Sequence, residues 1–154
     1  MRIVIDACLP PWLVECLTPI AEPCGCRVEH VTRLYGQGCK DPDWIGRLTS
    51  EGGALFITHD RQMRRRPLEI QALLASSCVG IVLAPGWQDD DDHVLVARLL
   101  LHWPLILEAA KETPPQLREL GWSLKMKPPR NWRGWDKIAG RLTQHRPRGP
   151  HPKE

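Results

Sequence analysis

A chain of 154 residues, 42% hydrophobic and 25% charged, can bury one proper core with a short appendage, which excludes fibrous and wholly disordered classes. The net charge of +3 hides an asymmetry: residues 1–124 carry 12 Lys and Arg against 16 Asp and Glu, whereas residues 125–154 carry 9 against 2. An acidic body with a basic tail suits a nucleic-acid binder, and equally a solubilised C-terminus.

The chain opens with Arg2-Ile3-Val4-Ile5-Asp6, a β-branched run that ends at a carboxylate. It is too short for a signal-peptide core or a membrane span, so a cytoplasmic protein with reduced thiols is expected. The six cysteines (Cys8, Cys16, Cys24, Cys26, Cys39, Cys78) include no C-x-x-C pair, only Cys24-Gly25-Cys26, which argues against structural zinc. Pro10-Pro11 can open a helix, and Trp12, Leu13, Cys16, Leu17 and Ile20 recur at helical spacing. Cys26 to Val31 alternates as a second strand, and Leu34 to Cys39 reads as a glycine-bearing loop. Asp41-Pro42-Asp43 resembles a helix N-cap and first turn, followed by Trp44, Ile45 and Leu48 on one face and closed by Gly52-Gly53.

Ala54 to Thr58 is a third apolar strand that runs into Asp60. Pro67 starts a further helix bearing Leu68, Ile70, Leu73 and Leu74. Val79 to Leu83 is the fourth strand, closed by Pro85-Gly86. This alternation predicts an α/β fold: a mainly parallel sheet of four to five strands, flanked by helices, with a helical C-terminal extension. The apolar segment Val94–Ala110 is interrupted by Arg98, His102, Pro104 and Glu108, so a buried helix broken before Pro104 is expected rather than a membrane helix. Asp89-Asp90-Asp91-Asp92 places negative charge at its N-terminus, where the helix dipole favours it. Pro114-Pro115 breaks the chain again, dividing a domain over 1–112 from a basic, tryptophan-containing extension over 113–154 whose last residues are too polar and proline-rich to fold.

In parallel α/β sheets the ligand site lies beyond the carboxyl ends of the strands. Two strands deliver aspartates there, Asp6 and Asp60, and Asp41, Asp43 and Glu69 stand in helical first turns that this topology brings close. Nothing in the sequence neutralises them. Two carboxylates about 4 Å apart repel by roughly 4 kcal/mol at an effective dielectric near 20, so such a cluster implies a bound cation or raised pKa values. Hard oxygen donors select Mg²⁺ or Mn²⁺. Each residue also has a bland role: Asp6 and Asp60 as turn caps, Asp41 as an N-cap, Asp43 as a dipole residue, His59 as a loop histidine.

Arg64, Arg65 and Arg66 lie between Asp60 and Glu69 and could grip an RNA backbone. In the extension, Lys125, Lys127, Arg130 and Arg133 surround Trp132 and Trp135. The tryptophans could stack on unpaired bases or pack on the domain itself.

Three segments carry a resemblance: Ile3-Val4-Ile5-Asp6-Ala7-Cys8-Leu9-Pro10-Pro11; Lys40-Asp41-Pro42-Asp43-Trp44-Ile45; and Phe56-Ile57-Thr58-His59-Asp60-Arg61 with Arg66-Pro67-Leu68-Glu69 beyond it. In order and spacing, over residues 1–86, they resemble the PIN-like domains, including the VapC-type toxins of bacterial toxin–antitoxin pairs, and a compact subgroup in particular. The resemblance implies a Mg²⁺- or Mn²⁺-dependent endoribonuclease with carboxylates at Asp6, Asp41 and Asp60, and a fourth at Asp43 or Glu69. It further implies a homodimer and a cognate antitoxin. The competing reading is a catalytically inactive PIN-like module that binds RNA or protein. A phosphoacceptor receiver fits poorly, because Asp6 is followed by Ala7-Cys8 and no lysine follows the fourth strand.

Overall fold

The computed structural model describes residues 1–121 and 130–131. The elements in chain order are β1 (Arg2–Ile5), α1 (Leu13–Ala21), β2 (Arg27–His30), α2 (Val31–Tyr35), α3 (Asp41–Ser50), β3 (Leu55–Thr58), α4 (Pro67–Leu74), β4 (Val79–Leu83), α5 (Asp92–Leu101), α6 (Trp103–Ala109), β5 (Gln116–Leu120) and the two-residue β6 (Arg130–Asn131). Five parallel strands run in the order β2-β1-β3-β4-β5, and β6 joins β5 antiparallel.

Side chains alternate across a strand, and each strand here feeds two cores. Ile3, Ile5, Leu55, Ile57, Val79 and Ile81 pack with Leu13 and Leu17 of α1, Leu95 and Leu99 of α5, and Ile106 of α6. Val4, Phe56 and Val82 face the opposite way, onto Val31 of α2, Trp44, Ile45 and Leu48 of α3, and Leu73 of α4. The short strands are therefore apolar on both faces, as sheets covered on both sides require. Trp44 meets Phe56 edge to face, with ring centroids 5.3 Å apart, which joins α3 to the centre of the sheet.

The chain leaves β1 to form β2 on one side, then returns to place β3 on the other. That reversal opens a crevice between the carboxyl ends of β1 and β3, the usual ligand position of an open α/β sheet. Asp6 directly follows β1, and Asp60 lies two residues past β3.

Helical periodicity misplaces two side chains. Ile20 of α1 is exposed, and Leu68 of α4 is 69% exposed while its neighbour Glu69 is buried. A short helix, α2, takes in Val31, expected to end the second strand, and Leu34 and Tyr35, expected in a loop; His30 caps it by accepting the N–H of Thr32. The break before Pro104 occurs as expected: α5 stops at Leu101 and α6 begins at Trp103, so the proline takes a first-turn position where its missing donor is harmless. These two helices are the C-terminal helical part. β5 lies beyond residue 112 and completes the sheet against β4, with Glu119 opposite Val82. All six cysteines are free. Among the described residues, no helix is long and apolar enough to cross a membrane.

Candidate active site

Asp6 is only 3% exposed, so every lone pair it spends is accounted for by near neighbours. Its Oδ1 accepts the N–H of Ala7 at 2.6 Å, and its Oδ2 accepts the Thr58 hydroxyl at 2.6 Å and the Cys8 thiol at 3.1 Å. The same Thr58 oxygen accepts the backbone N–H of Asp60 at 2.9 Å. Thr58 therefore ties the end of β1 to the turn after β3. Asp60 in turn accepts the Gln62 N–H through Oδ1 at 2.8 Å, leaving Oδ2 to face the crevice.

Asp41 is the first residue of α3 rather than its cap. The capping position belongs to Lys40, with extended backbone and no side-chain hydrogen bond. Freed from capping, the Asp41 carboxylate accepts the indole N–H of Trp44 at 2.9 Å. Trp44 is held by Phe56, so the core of the domain aims this carboxylate.

Glu69 reaches the crevice from the first turn of α4. Carboxylate oxygens of Asp41, Asp60 and Glu69 all lie within 4.8 Å of one another. Asp6 lies outside that trio but lines, with Ala7, Cys8, Asp41, His59, Asp60 and Arg66, a depression of about 550 Å³, while Glu69 lines the hollow next to it that shares Asp41 and Arg66. Asp43 is exposed on the outer side of α3 and does not join the trio. Between the two candidates for a further acidic position, the structure brings in Glu69.

The expectation that nothing neutralises the cluster is corrected here. Arg66 Nη1 stands 2.9 Å from Glu69 Oε1, 3.1 Å from Asp60 Oδ2 and 3.8 Å from Asp41 Oδ2. One positive charge still falls short of three negative ones. Glu69 Oε2 is buried and has no hydrogen-bond partner. Burial first, then the charges of Asp6, Glu69 and Asp60, raise Asp41 from an ordinary carboxylate value to about 6, with the Trp44 hydrogen bond opposing the rise.

That shift sets a pH dependence. A carboxyl whose folded pKa exceeds its unfolded one holds its proton longer in the folded chain, so its contribution to stability is fully present below pH 3.8 and is lost as pH climbs to about 6. A metal ligand must be deprotonated, so cation affinity should rise over the same interval. Thermal melts of the metal-free protein are expected to show the wild type losing stability relative to Asp41→Asn between about pH 4 and pH 6. Parallel curves would contradict the assignment.

Sequence reasoning misses the supports of the site. Arg61 donates to the buried Glu119 of β5 at 2.8 Å, anchoring the turn that carries Asp60. Thr58, Cys8 and Trp44 orient the carboxylates, and only the Thr58-His59-Asp60 spacing offers a hint of it. Arg64 is half-buried and Arg65 exposed, in a single 3₁₀ turn over Met63–Arg65 that is pinned by the buried Met63. Arg130 contributes backbone to β6. Lys125, Lys127, Trp132 and Arg133 lie outside the described residues.

Fold and crevice together define an α/β domain of nuclease type, with an acidic cluster at the switch point of its sheet. A family model described as "PIN like domain" matches residues 1–85, and the chain belongs to the PIN-like domain family. No curated protein and no solved structure matches the chain.

PIN domains are generally nucleases that need a divalent metal, and the donors here fit one. Three carboxylates supply hard oxygen ligands, and the buried Glu69 Oε2 has no hydrogen-bond partner although Arg66 meets Oε1.

Proposed function

We propose that the chain is a metal-dependent endoribonuclease that hydrolyses RNA phosphodiester bonds, with Asp41, Asp60 and Glu69 holding Mg²⁺ or Mn²⁺ and Asp6 supporting them from the floor of the crevice. The observation that carries this reading is the convergence of three carboxylates within 4.8 Å around a buried, unpartnered Glu69 oxygen. A fold gathers such charge at a stability cost, and cation binding is the chemistry that offsets it. When bound, the metal supplies positive charge against a phosphodiester and lowers the pKa of a water. The chain's own residues do the rest. Thr58 and Ala7 fix Asp6, Trp44 aims Asp41, and the Arg61–Glu119 pair steadies the Asp60 turn.

Arg64 and Arg65, close to Asp60 in the sequence, are the cations proposed to meet phosphates of the substrate, and Lys125, Lys127, Arg130, Trp132 and Arg133 supply further charge and base-stacking rings for it. The resemblance to VapC-type toxins supports a cytoplasmic toxin, acting as a homodimer and restrained by a cognate antitoxin. The test is incubation of the purified chain with single-stranded RNA and Mg²⁺ or Mn²⁺. Cleavage that EDTA abolishes is the expected result, and intact RNA under both metals rejects the reading.

A second reading has one observation behind it. Arg66 already ion-pairs with the cluster, as it would in an inactive module that binds RNA or protein through its basic tail. That reading requires binding to vanish on removal of residues 125–154 and no metal to enter the crevice.

A further inference from the structure

Arg66 makes its three carboxylate contacts through a single nitrogen. Nη1 lies among Glu69 Oε1, Asp60 Oδ2 and Asp41 Oδ2 at 2.9, 3.1 and 3.8 Å. An arginine that binds carboxylate for stability usually uses its fork, two nitrogens on two oxygens of one partner. Here one nitrogen hydrogen-bonds two carboxylates and stands within ion-pair distance of a third, so a single positive centre is shared among three acids. The fit is also incomplete, because Glu69 Oε2 stays buried and unpartnered while Oε1 is satisfied.

The backbone that carries Arg66 explains how the group is held without being locked in. Arg66 precedes Pro67, and the proline ring disfavours helical backbone at the residue before it. Its φ of −95° and ψ of 115° are accordingly extended, and it stands at the head of α4. From there the side chain reaches across the rim and remains 50% exposed, whereas the Glu69 side chain beneath it is 9% exposed. Withdrawing the guanidinium into solvent breaks ion pairs but uncovers no packed core.

We propose that Arg66 is the resident counter-cation of the acid cluster and occupies the position a divalent metal must take, so that metal binds by displacing a tethered guanidinium. The inference rests on the metal-nuclease reading above and adds an intramolecular competitor to it. Metal affinity then reflects a difference: the cluster's attraction for a divalent ion less its attraction for its own arginine. Without metal, the arginine holds the carboxylates together. With metal, the same side chain is released at the rim of the crevice. The arrangement also reconciles the two readings, since an arginine in the cluster is the metal-free state of a metal site and not evidence against one.

The test is Mn²⁺ titration by calorimetry of the full-length wild type, Arg66→Gln and Arg66→Lys, with thermal melts in EDTA and in saturating Mn²⁺. Glutamine keeps a polar side chain of moderate length and removes the charge. Arg66→Gln is expected to bind Mn²⁺ about tenfold more tightly than wild type, a difference of about 1.4 kcal/mol. It should melt below wild type in EDTA, and the gap should close or reverse in Mn²⁺. Arg66→Lys, which keeps the charge but on a shorter and more strongly hydrated ammonium, should fall between the two, and it carries the comparison alone if the glutamine variant does not fold. Equal or weaker Mn²⁺ binding by the variants overturns the competition while leaving the metal-nuclease reading intact. Absence of Mn²⁺ binding by all three proteins overturns both.

Discussion

Replacing Glu69 by glutamine, or Asp60 by asparagine, is expected to lower metal-dependent RNA cleavage by roughly 100- to 1000-fold, the scale reached when a single group stabilising transition-state charge is removed, without destabilising the metal-free protein. The second half of that expectation is the discriminating one. A buried carboxylate that serves the fold is destabilising to remove. Here Asp41, Asp60 and Glu69 repel one another within 4.8 Å, and Glu69 Oε2 has no partner to lose. Neutralising Glu69 relieves repulsion on Asp41, whose pKa is raised partly by that charge, and an uncharged amide is less costly to bury than a carboxylate with one oxygen left without a hydrogen bond. The loss of one Arg66 contact works the other way, but that contact sits at a half-exposed rim where ion pairs contribute about 0–1 kcal/mol. The melting temperature in EDTA should therefore stay level or rise while cleavage disappears, the pattern of a site held in an unfavourable state for function. Asp43→Asn is the control. Asp43 is exposed and outside the trio, so cleavage should be unchanged. A cleavage loss as large for Asp43 as for Glu69, or a steep drop in metal-free stability on Glu69→Gln, would show that the cluster has been assigned to the wrong residues.

What the sequence makes legible follows from which signals are local. Asp6 and Asp60 can be read because a β-branched run ending at a carboxylate is a local pattern, and the parallel topology carries both to one edge without further information. That β1 and β3 lie in a sheet covered on both faces is likewise implied by two short, mostly apolar runs, although their register is not. Glu69 is harder. Leu68 and Glu69 are adjacent on α4, and hydrophobic periodicity turns the leucine inward, whereas in the structure Glu69 is turned in, paired with Arg66, and the leucine is 69% exposed. The position of Arg66 is not legible at all. It depends on a pre-proline backbone aiming a long side chain across a crevice, and Arg64, Arg65 and Arg66 look identical in the sequence. β5 is hidden for a related reason: Gln116-Leu117-Arg118-Glu119-Leu120 reads as a polar segment after two prolines, yet its strand is stabilised by pairing with β4 and by the distant Arg61 on Glu119. Each miss is a case in which a tertiary partner overrides a local preference.

The opposite edge of the sheet yields the converse expectation. Gly53→Ala should destabilise the domain by about 2–6 kcal/mol, summing backbone strain of about 1–3 and overpacking of about 1–3, with the folded fraction cleaving RNA at the wild-type rate. Gly53 turns the chain from α3 into β3 with φ of 84°, in the region that side chains rarely adopt, and a Cβ there would lie 2.0 Å from the carbonyl oxygen of Ser77. That oxygen belongs to the backbone leading into β4, beside the bond from the Val79 N–H to the Ala54 carbonyl that starts the β3–β4 pairing. Neither partner can yield without shifting the register of two central strands. Gly52 supplies the internal comparison: its φ is 102° but nothing lies within 4 Å of the missing Cβ, so Gly52→Ala should show the strain alone. The turn sits at the amino end of β3, whereas Asp6, Asp41, Asp60 and Glu69 gather beyond its carboxyl end, and the four residues of Leu55–Thr58 separate the two. Denaturant melts should rank Gly53→Ala below Gly52→Ala and both below wild type, and initial cleavage rates corrected for the folded fraction should coincide. If the corrected rate of Gly53→Ala falls with its stability, strain at the amino edge reaches the carboxylates, and the rigid separation of the two edges on which this expectation depends is wrong.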